Sequence, residues 1–403
     1  MIKASDLTWD DVTRVGAGTL GGNYLRSFWW PVALSEEVKD IPVPVKLLGE
    51  ELVLFRDLSG ELVLLGAHCS HRRASLEYGI IEEQGIRCAY HGWYYDRRGK
   101  VIDRPAEPIK TAANIQHPWY PVRELGGFVF AYLGKDKETP PPLPRYDVLV
   151  QDGYRVAERG DDEAGKAYNC NWLQGVENTT DTTHLTYLHG IYESCPAFKP
   201  VEGEYGVKLY ILDQRSKPNC VALRRRCTVL PTINRKSREL RPKNTGEHPV
   251  TLQQAIWIIP IDDAHCEEMR LTVYPEKPKE RSYHGGYVNR AKQRERKPYD
   301  RRFYGEIKGI VPLEDKAMVE SQGPIVDRTL EHPGYGDRAI LLLRKMIREG
   351  IAEVANGGKP KGVLQEDQPM IDLDIGVDEY ELDKVPETVK DLLNELQHEL
   401  EKV

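Results

Sequence analysis

No stretch of this sequence reaches roughly eighteen consecutive apolar residues, so nothing in it reads as a membrane-spanning helix. The amino terminus, MIKASDLTWDDVTRVGAG, lacks a basic segment leading into an apolar run and lacks a small-residue cleavage site, which makes the cytoplasm the expected location. A basic excess is missing too. Lys and Arg number 56 against 63 Asp and Glu, a formal net charge of -7, and such a balance excludes a protein built on nucleic-acid phosphates or on an anionic membrane surface. Internal repeats and low-complexity tracts are absent. Cysteine is scarce: seven in 403 residues, an odd count without short regular spacing. That excludes a secreted disulfide scaffold and makes Cys170, Cys195, Cys220, Cys227 and Cys266 ordinary thiols. What is left is small-molecule chemistry, in a chain long enough for two hydrophobic cores.

From Trp30 to about Tyr132 the chain reads as short antiparallel strands, with PVPVKLLGEELVLFRDLSGELVLLG giving three apolar runs split by turn residues. The charged, proline-rich segment KDKETPPPLPRYD, from Lys135 to Asp147, can continue neither sheet nor helix. It sets the expected division into residues 1–146 and 147–403. Beyond it, helical character around Trp172 to Val176 gives way to strand-like runs such as VALRRRCTVLPTI, VTLQQAIWIIPI and MRLTVYPE. The second unit therefore reads as α+β with a large antiparallel sheet. Near the carboxyl end Val389, Leu392, Leu393, Leu396 and Leu400 form one helical stripe, expected to be a packing face. The segment from Asn289 to Arg302 is dense in Arg and Lys. It reads as a solvated loop or lid, the sharper alternative being a docking face for an acidic electron-transfer partner.

Against this scarcity of Cys and His stands CSHRRASLEYGIIEEQGIRCAYH, residues 69 to 91. It pairs Cys69 with His71 and Cys88 with His91 across a sixteen-residue interval, Arg72 to Arg87. Zinc would accept two sulfurs and two nitrogens, but zinc folds usually pair Cys with Cys inside a knuckle. Mixed pairs at this spacing, followed by YHGWYYDRRGKV, resemble the Rieske pattern, in which two Cys hold one iron of a 2Fe-2S cluster and two His hold the other. Ser70 stands where that pattern usually has proline, a position that ligates nothing. Such a cluster moves single electrons and makes no bonds on a substrate. It implies a second site.

ENTTDTTHLTYLHG supplies Asp181, His184 and His189, the residue types of a two-His, one-carboxylate site for non-heme Fe(II). On an ideal helix the two His would point roughly 140° apart, so the helix must distort or end between them, which Gly190 suits. Taken alone the spacing is weak, and two structural His remain an open alternative. Preceded by NWLQGVEN and lying C-terminal to a Rieske pair, it makes the whole chain resemble the oxygenase subunit of the Rieske non-heme iron oxygenases. The resemblance implies an α+β chain: an N-terminal all-β Rieske domain, then an α+β catalytic domain with a large antiparallel sheet of the helix-grip, START-like kind. It implies Cys69, His71, Cys88 and His91 on the cluster, and His184 and His189 on the iron. Asp181 becomes a carboxylate linking His184 to His91 of a neighbouring subunit, and hence a ring-shaped homotrimer is expected.

For the third ligand, VPLEDKAMVESQGP offers Glu314, Asp315 and Glu320. The family pattern selects Asp315, with Glu320 as runner-up, and Asn178 stands either near the iron or as a simple helix hydrogen-bonder. The expected partners are an NAD(P)H-dependent reductase, a ferredoxin where one is needed, O2 and a small aromatic molecule. YLRSFWWPVALSEEV, LLGEELVLFRD, HRRASLEYGI and RPAEP resemble the phthalate-dioxygenase and dehydrodivanillate O-demethylase branch. That branch implies carboxylated, methoxylated or aryl-ether aromatics, oxidised by O-demethylation or ring hydroxylation. Trp257, Arg224 and Arg270 are equally consistent with pocket and with plain strand positions. Two other classes stay open on the residues alone: a Rieske-type electron carrier without oxygenase chemistry, and a zinc-stabilised binding protein.

Overall fold

Turn chemistry lays out the N-terminal sheets. In the computed structural model, which describes residues 1–107, 114–160, 167–192, 194–213, 219–240, 250–277 and 311–400, Leu48 and Gly49 both take positive φ, 53° and 76°. That is the two-residue turn whose twist matches its strands, and it joins β2 (Val43–Leu47) to β3 (Glu50–Arg56) with Leu47 opposite Glu50. Strand β1 (Trp29–Leu34) pairs with β11 (Phe128–Tyr132), which pairs with β10 (Val122–Leu125). β2 and β3 continue into β4 (Leu62–Gly66) and β9 (Trp119–Tyr120). A third small sheet runs β5 (Ile80–Glu82), β6 (Gly85–Arg87), β7 (Tyr94–Asp96), β8 (Val101–Asp103). Its core is Val53, Phe55, Leu65, Leu76, Ile86, Trp93 and Tyr95, with Cys69 and Cys88 buried among them.

The second unit is one nine-stranded antiparallel sheet among the described residues. Its path is β12 (Tyr154–Arg159), β19 (Cys266–Tyr274), β18 (Val250–Pro260), β17 (Ile233–Leu240), β16 (Cys220–Val229), β15 (Gly206–Asp213), β14 (Phe198–Glu202). Short β13 (Ala167–Tyr168) adds to β19, and β20 (Gly376–Glu381) adds to β16. Because side chains alternate across a strand, each of these strands serves two faces. One face meets the N-terminal sheets: Trp257 on β18 sits 5.4 Å from the Phe128 ring and 6.3 Å from that of Phe130. Burying an aromatic of that size stabilises by about 3 kcal/mol. Arg235, on the same face of β17, is clamped by both carboxylate oxygens of Asp147, Nε to Oδ1 at 3.0 Å and Nη2 to Oδ2 at 2.8 Å. Asp147 begins α3 (Asp147–Val150), just after the proline-rich segment.

The opposite face is crossed by α4 (Trp172–Thr180), whose first turn is capped by the Asn171 side chain accepting from Leu173 N. Small α1 (Trp9–Thr13) and α2 (Leu20–Leu25) lie against the Arg338–Ala355 helix. Gly350 permits that approach, since a Cβ there would stand 2.5 Å from the Tyr24 ring. In the Glu387–Leu400 helix Leu393 and Leu396 are buried with Ala197, Leu212 and Leu223, and Val389 and Leu392 flank them. That stripe packs on the sheet; the Leu400 side chain lies outside the described residues, as does the basic segment Asn289–Arg302. Among the described residues no helix is long and apolar enough to cross a membrane. All seven cysteines are described, and none is in a disulfide.

Asp147→Ala strands the buried Arg235 guanidinium, which should cost about 3–5 kcal/mol. Denaturant titration is expected to show a lower midpoint with an unchanged slope. Replacing both partners by apolar residues of similar volume should recover most of the loss.

Candidate metal centres

Two loops of matching design carry the Cys and His pairs. In the first, Cys69 N donates to Ala74 O and Arg73 N donates to Cys69 O, both at 2.9 Å. In the second, Cys88 N donates to Trp93 O at 2.8 Å and Gly92 N to Cys88 O at 2.9 Å. The residue four after each Cys turns left-handed, Arg73 at φ 64° and Gly92 at φ 74°. Both loops therefore fold back over their own Cys. The rings of His71 and His91 meet edge-on with centroids 4.7 Å apart, and His71 stacks on Trp93 at 4.8 Å.

These loops suit a two-iron cluster. His71 Nδ1 is buried without a hydrogen-bond partner among the described residues, a costly arrangement unless something binds it. Burial first, then the neighbouring Cys69 thiol, pushes the Cys88 thiol up, so thiolates packed this way call for positive charge between them. The backbone N–H groups of Tyr90 and His91 aim at that sulfur, and the Tyr95 hydroxyl lies 3.0 Å from Cys69 Sγ while accepting from Ser70 N at 3.0 Å. Hydrogen bonds to sulfur of this kind tune a cluster's potential. A single tetrahedral zinc would draw all its donors to one point at bonds of about 2.0–2.3 Å. Among the described residues the donor atoms that lie within 4.8 Å of one another in a group of three belong instead to His184, His189 and Asp315. Ser70 braces the first loop from the side: its hydroxyl is 2.8 Å from His117 Nδ1, whose Nε2 is 2.8 Å from Gly66 O.

In the second site α4 stops at Thr180 and a new turn, α5 (His184–Tyr187), begins after a gap of three residues. His184 opens that turn and His189 lies past its end, before Gly190 at φ 59°. This interruption of the helix removes the angular conflict of a continuous one. The two rings stand 5.1 Å apart at 80°. His189 Nε2 is 3.0 Å from Asp315 Oδ1 and His184 Nε2 is 3.6 Å from the same oxygen. Behind the rings, Asp181 Oδ2 lies 3.0 Å from His184 Nδ1, and Glu314 Oε2 lies 2.7 Å from His189 Nδ1. Each imidazole is therefore held by a carboxylate at Nδ1 and offers Nε2 inward, as metal-binding histidines do.

The charges fit a dication. Burial alone would lower His189, yet the bonds to Asp315 and Glu314 raise it to about 9, so a proton occupies what a metal would take, and metal binding would release it. Burial would raise Asp315, but the bond from His189 and the charge of both imidazoles hold it below the ordinary carboxylate value, with Asn178 also bonding to it. Asp181 behaves likewise: burial would raise it, and His184 with the N–H groups of Thr183 and His184 lowers it. His189 and Glu314 are closed off from solvent, whereas the His184 and Asp315 side chains keep 17% and 20% of their exposure. The trio is accordingly reachable from the side of His184 and Asp315, and closed behind His189.

The structure brings Asp315, and not Glu320, to the histidines. Glu320 Oε1 accepts from Asn169 N at 2.8 Å, away from the trio. The Val311–Ser321 helix that carries Asp315 is stapled to α4 by Gln174, which donates to Val319 O and Gly323 O and accepts from Val326 N. Glu177, one turn further along α4, is bonded by Arg328 at 2.9 Å and Arg344 at 2.7 Å. Sequence reasoning had no means to find the backing role of Glu314. Its one trace is that Glu314 and Asp315 are adjacent acids in a helix, one of them fully buried.

A family model for the Rieske [2Fe-2S] domain matches residues 28–114. The phenoxybenzoate dioxygenase subunit alpha of Ectopseudomonas oleovorans is 32% identical over 396 residues, covering 87% of this chain and 87% of that protein. The 5,5'-dehydrodivanillate O-demethylase oxygenase subunit of Sphingobium sp. (strain NBRC 103272 / SYK-6) is 30% identical over 382 residues, 89% of this chain and 82% of its own. The solved structure of NdmB from Pseudomonas putida CBB5 shares the fold, with a TM-score of 0.65 at 21% identity over 85% of this chain and 96% of that one.

Glu314→Gln keeps the shape behind His189 but removes the charge. Iron affinity, read by chelator competition, is expected to fall about 10- to 100-fold while the absorption of the Cys69–His91 site is unchanged. Asp315→Ala should lose mononuclear iron outright. Undiminished iron content in that variant would move the role to Glu320.

Proposed function

The chain belongs to the Rieske non-heme iron oxygenases, as an oxygenase subunit, and from that premise we propose that Cys69, His71, Cys88 and His91 hold its 2Fe-2S cluster and that His184, His189 and Asp315 hold its mononuclear iron. The observation that carries this reading is the convergence of three donor atoms within 4.8 Å in a chain that also bears the paired Cys and His loops. When bound, the cluster supplies single electrons and the iron supplies activation of O2 beside the substrate. A partner reductase feeds the oxygenase component; we take NAD(P)H as the ultimate donor, with a ferredoxin between them where needed. An electron carrier alone would have no use for the second site.

The protein's own share is positioning. Asp181 and Glu314 fix the rings of His184 and His189 from behind, and Asn178 steadies the Asp315 carboxylate. We read residues 1–146 as the Rieske unit and 147–403 as the catalytic unit. The Asp181 side chain keeps 19% exposure, and exposed aromatics stand at both centres, Tyr90 beside His91 and Tyr187 between His184 and His189. Those features support a head-to-tail homotrimer in which Asp181 of one subunit meets His91 of the next, giving electrons a hydrogen-bonded route. The cytoplasm suits an enzyme fed by NAD(P)H, and the absence of disulfides agrees with it.

The reaction is oxidation of an aromatic by O-demethylation or ring hydroxylation. Support comes from relatives named for phenoxybenzoate and dehydrodivanillate, an aryl ether and a methoxylated acid. With a surrogate reductase and a panel of methoxylated, phenoxy and carboxylated aromatics, substrate-dependent oxygen uptake is expected. Formaldehyde would mark demethylation, and a phenol or diol without it ring hydroxylation; no uptake with any of the panel would contradict the reading. Asp181→Asn should retain both metals but lose coupled turnover by about 10- to 100-fold or more. Full turnover in that variant would remove the bridge.

A further inference from the structure

Ser70 lies between Cys69 and His71, where the Rieske pattern has proline, and it makes two hydrogen bonds that proline cannot. Its backbone N–H donates to Tyr95 Oη at 3.0 Å, and its hydroxyl lies 2.8 Å from His117 Nδ1. The direction of each bond follows from its neighbours. His117 Nε2 lies 2.8 Å from Gly66 O, which only accepts, so Nε2 carries a hydrogen. The residue is 1% exposed, and burial foremost pushes its imidazole below the ordinary value and keeps it neutral. Nδ1 is therefore bare, and the Ser70 hydroxyl donates to it. Tyr95 Oη, which accepts the Ser70 N–H, lies 3.0 Å from Cys69 Sγ. A cysteine on a metal is a thiolate, an acceptor only, so the phenol proton points at that sulfur.

His117 is anchored independently of this loop. Its N–H donates to Gly99 O, and Gly66 N donates to Pro118 O, both at 2.9 Å. Gly99, at φ 74°, permits the approach, since a Cβ there would stand 2.2 Å from His117 O. The imidazole also packs on the buried Tyr95 ring, with centroids 4.6 Å apart. One histidine thus fixes both the Ser70 side chain and the ring whose hydroxyl meets Cys69. A donor on sulfur favours the reduced cluster, which carries one more negative charge. A hydrogen bond into that donor's own oxygen polarises it and strengthens the effect.

We propose that Ser70 and His117 are positioning residues for the electron-transfer site: His117 holds Ser70, whose N–H aims and polarises the Tyr95 hydroxyl toward Cys69 Sγ, so that the cluster is easier to reduce than it would be with proline at position 70. This rests on the assignment of Cys69, His71, Cys88 and His91 to a 2Fe-2S cluster. It adds to that assignment two residues that ligate nothing.

The test uses the full chain with its cluster loaded and reads the midpoint potential by redox titration of the visible and EPR signals. Ser70→Pro is expected to shift the reduction equilibrium about 3- to 10-fold toward the oxidised form, a fall of about 30–60 mV at about 59 mV per tenfold for one electron. Ser70→Thr, which keeps both the N–H and the hydroxyl, should hold the wild-type potential. The effect passes through the phenol. Tyr95→Phe alone should therefore lower the potential at least as far, and adding Ser70→Pro to it should shift nothing more. An unchanged or raised potential in Ser70→Pro, or a fall just as large in the Tyr95→Phe background, would overturn the proposal. Ser70 is exposed, so exchanging its side chain leaves the core intact. Should Ser70→Pro still fail to take up the cluster, Ser70→Ala, which loses the bond to His117 alone, carries the test: a shift of about 2- to 3-fold in the same direction is expected, and none overturns the proposal. Cluster absorption of the wild type reports separately on the assignment beneath. If it is missing, that assignment falls; if it is present and the potential ignores residue 70, this proposal alone falls.

Discussion

An imidazole can turn either nitrogen toward a cation, and a carboxylate behind Nδ1 decides which one it is. Asp181 and Glu314 make that choice for His184 and His189, and both rings consequently face a single oxygen of Asp315. The two backing acids come from different parts of the chain, so the site exists only if α4 and the Val311–Ser321 helix are fastened together. Gln174 does the fastening, through three hydrogen bonds to the end of that helix and the loop after it. Glu177 does the same toward Arg328 and Arg344. Gln174 and Glu177, one turn apart on α4, thus hold the helix that carries Asp315 and the segments that follow it.

Strand β17 shows how the sheet serves two ends at once. Its odd-numbered Arg235 points to the N-terminal sheets and closes on Asp147. Its even-numbered Asn234 and Lys236 face α4. Alternation along one strand thus links the face toward the N-terminal sheets to the face toward α4, and a shift of register by one residue would exchange them. Large apolar side chains such as Trp257 secure the register by filling the junction side.

The Cys69–His91 motif stood out in the sequence because its Cys and His lie within two short loops, where spacing alone constrains geometry. Strands β2 to β4 were legible for the same reason, their turns being local. Around His184 and His189 the sequence required a break in the helix, and one occurs, with α5 starting after a gap. The family pattern selected Asp315 over Glu320; both sit in one helix, and packing against α4 turns Asp315 toward the histidines while Glu320 bonds Asn169. Glu314 stood among the acids offered for the third ligand, and nothing in the sequence marked it as the carboxylate behind His189, a contact made across 125 residues. The basic segment Asn289–Arg302 lies outside the described residues.

Both centres in one chain is the central claim, and metal analysis addresses it most directly. Iron and acid-labile sulfide should be measured per chain on protein purified without oxygen, together with the visible spectrum. A 2Fe-2S cluster plus one mononuclear iron predicts about three iron and about two sulfide, with broad reddish-brown absorption. About two iron with two sulfide would leave an electron carrier, and zinc without sulfide would leave a structural clip; either result would contradict the account.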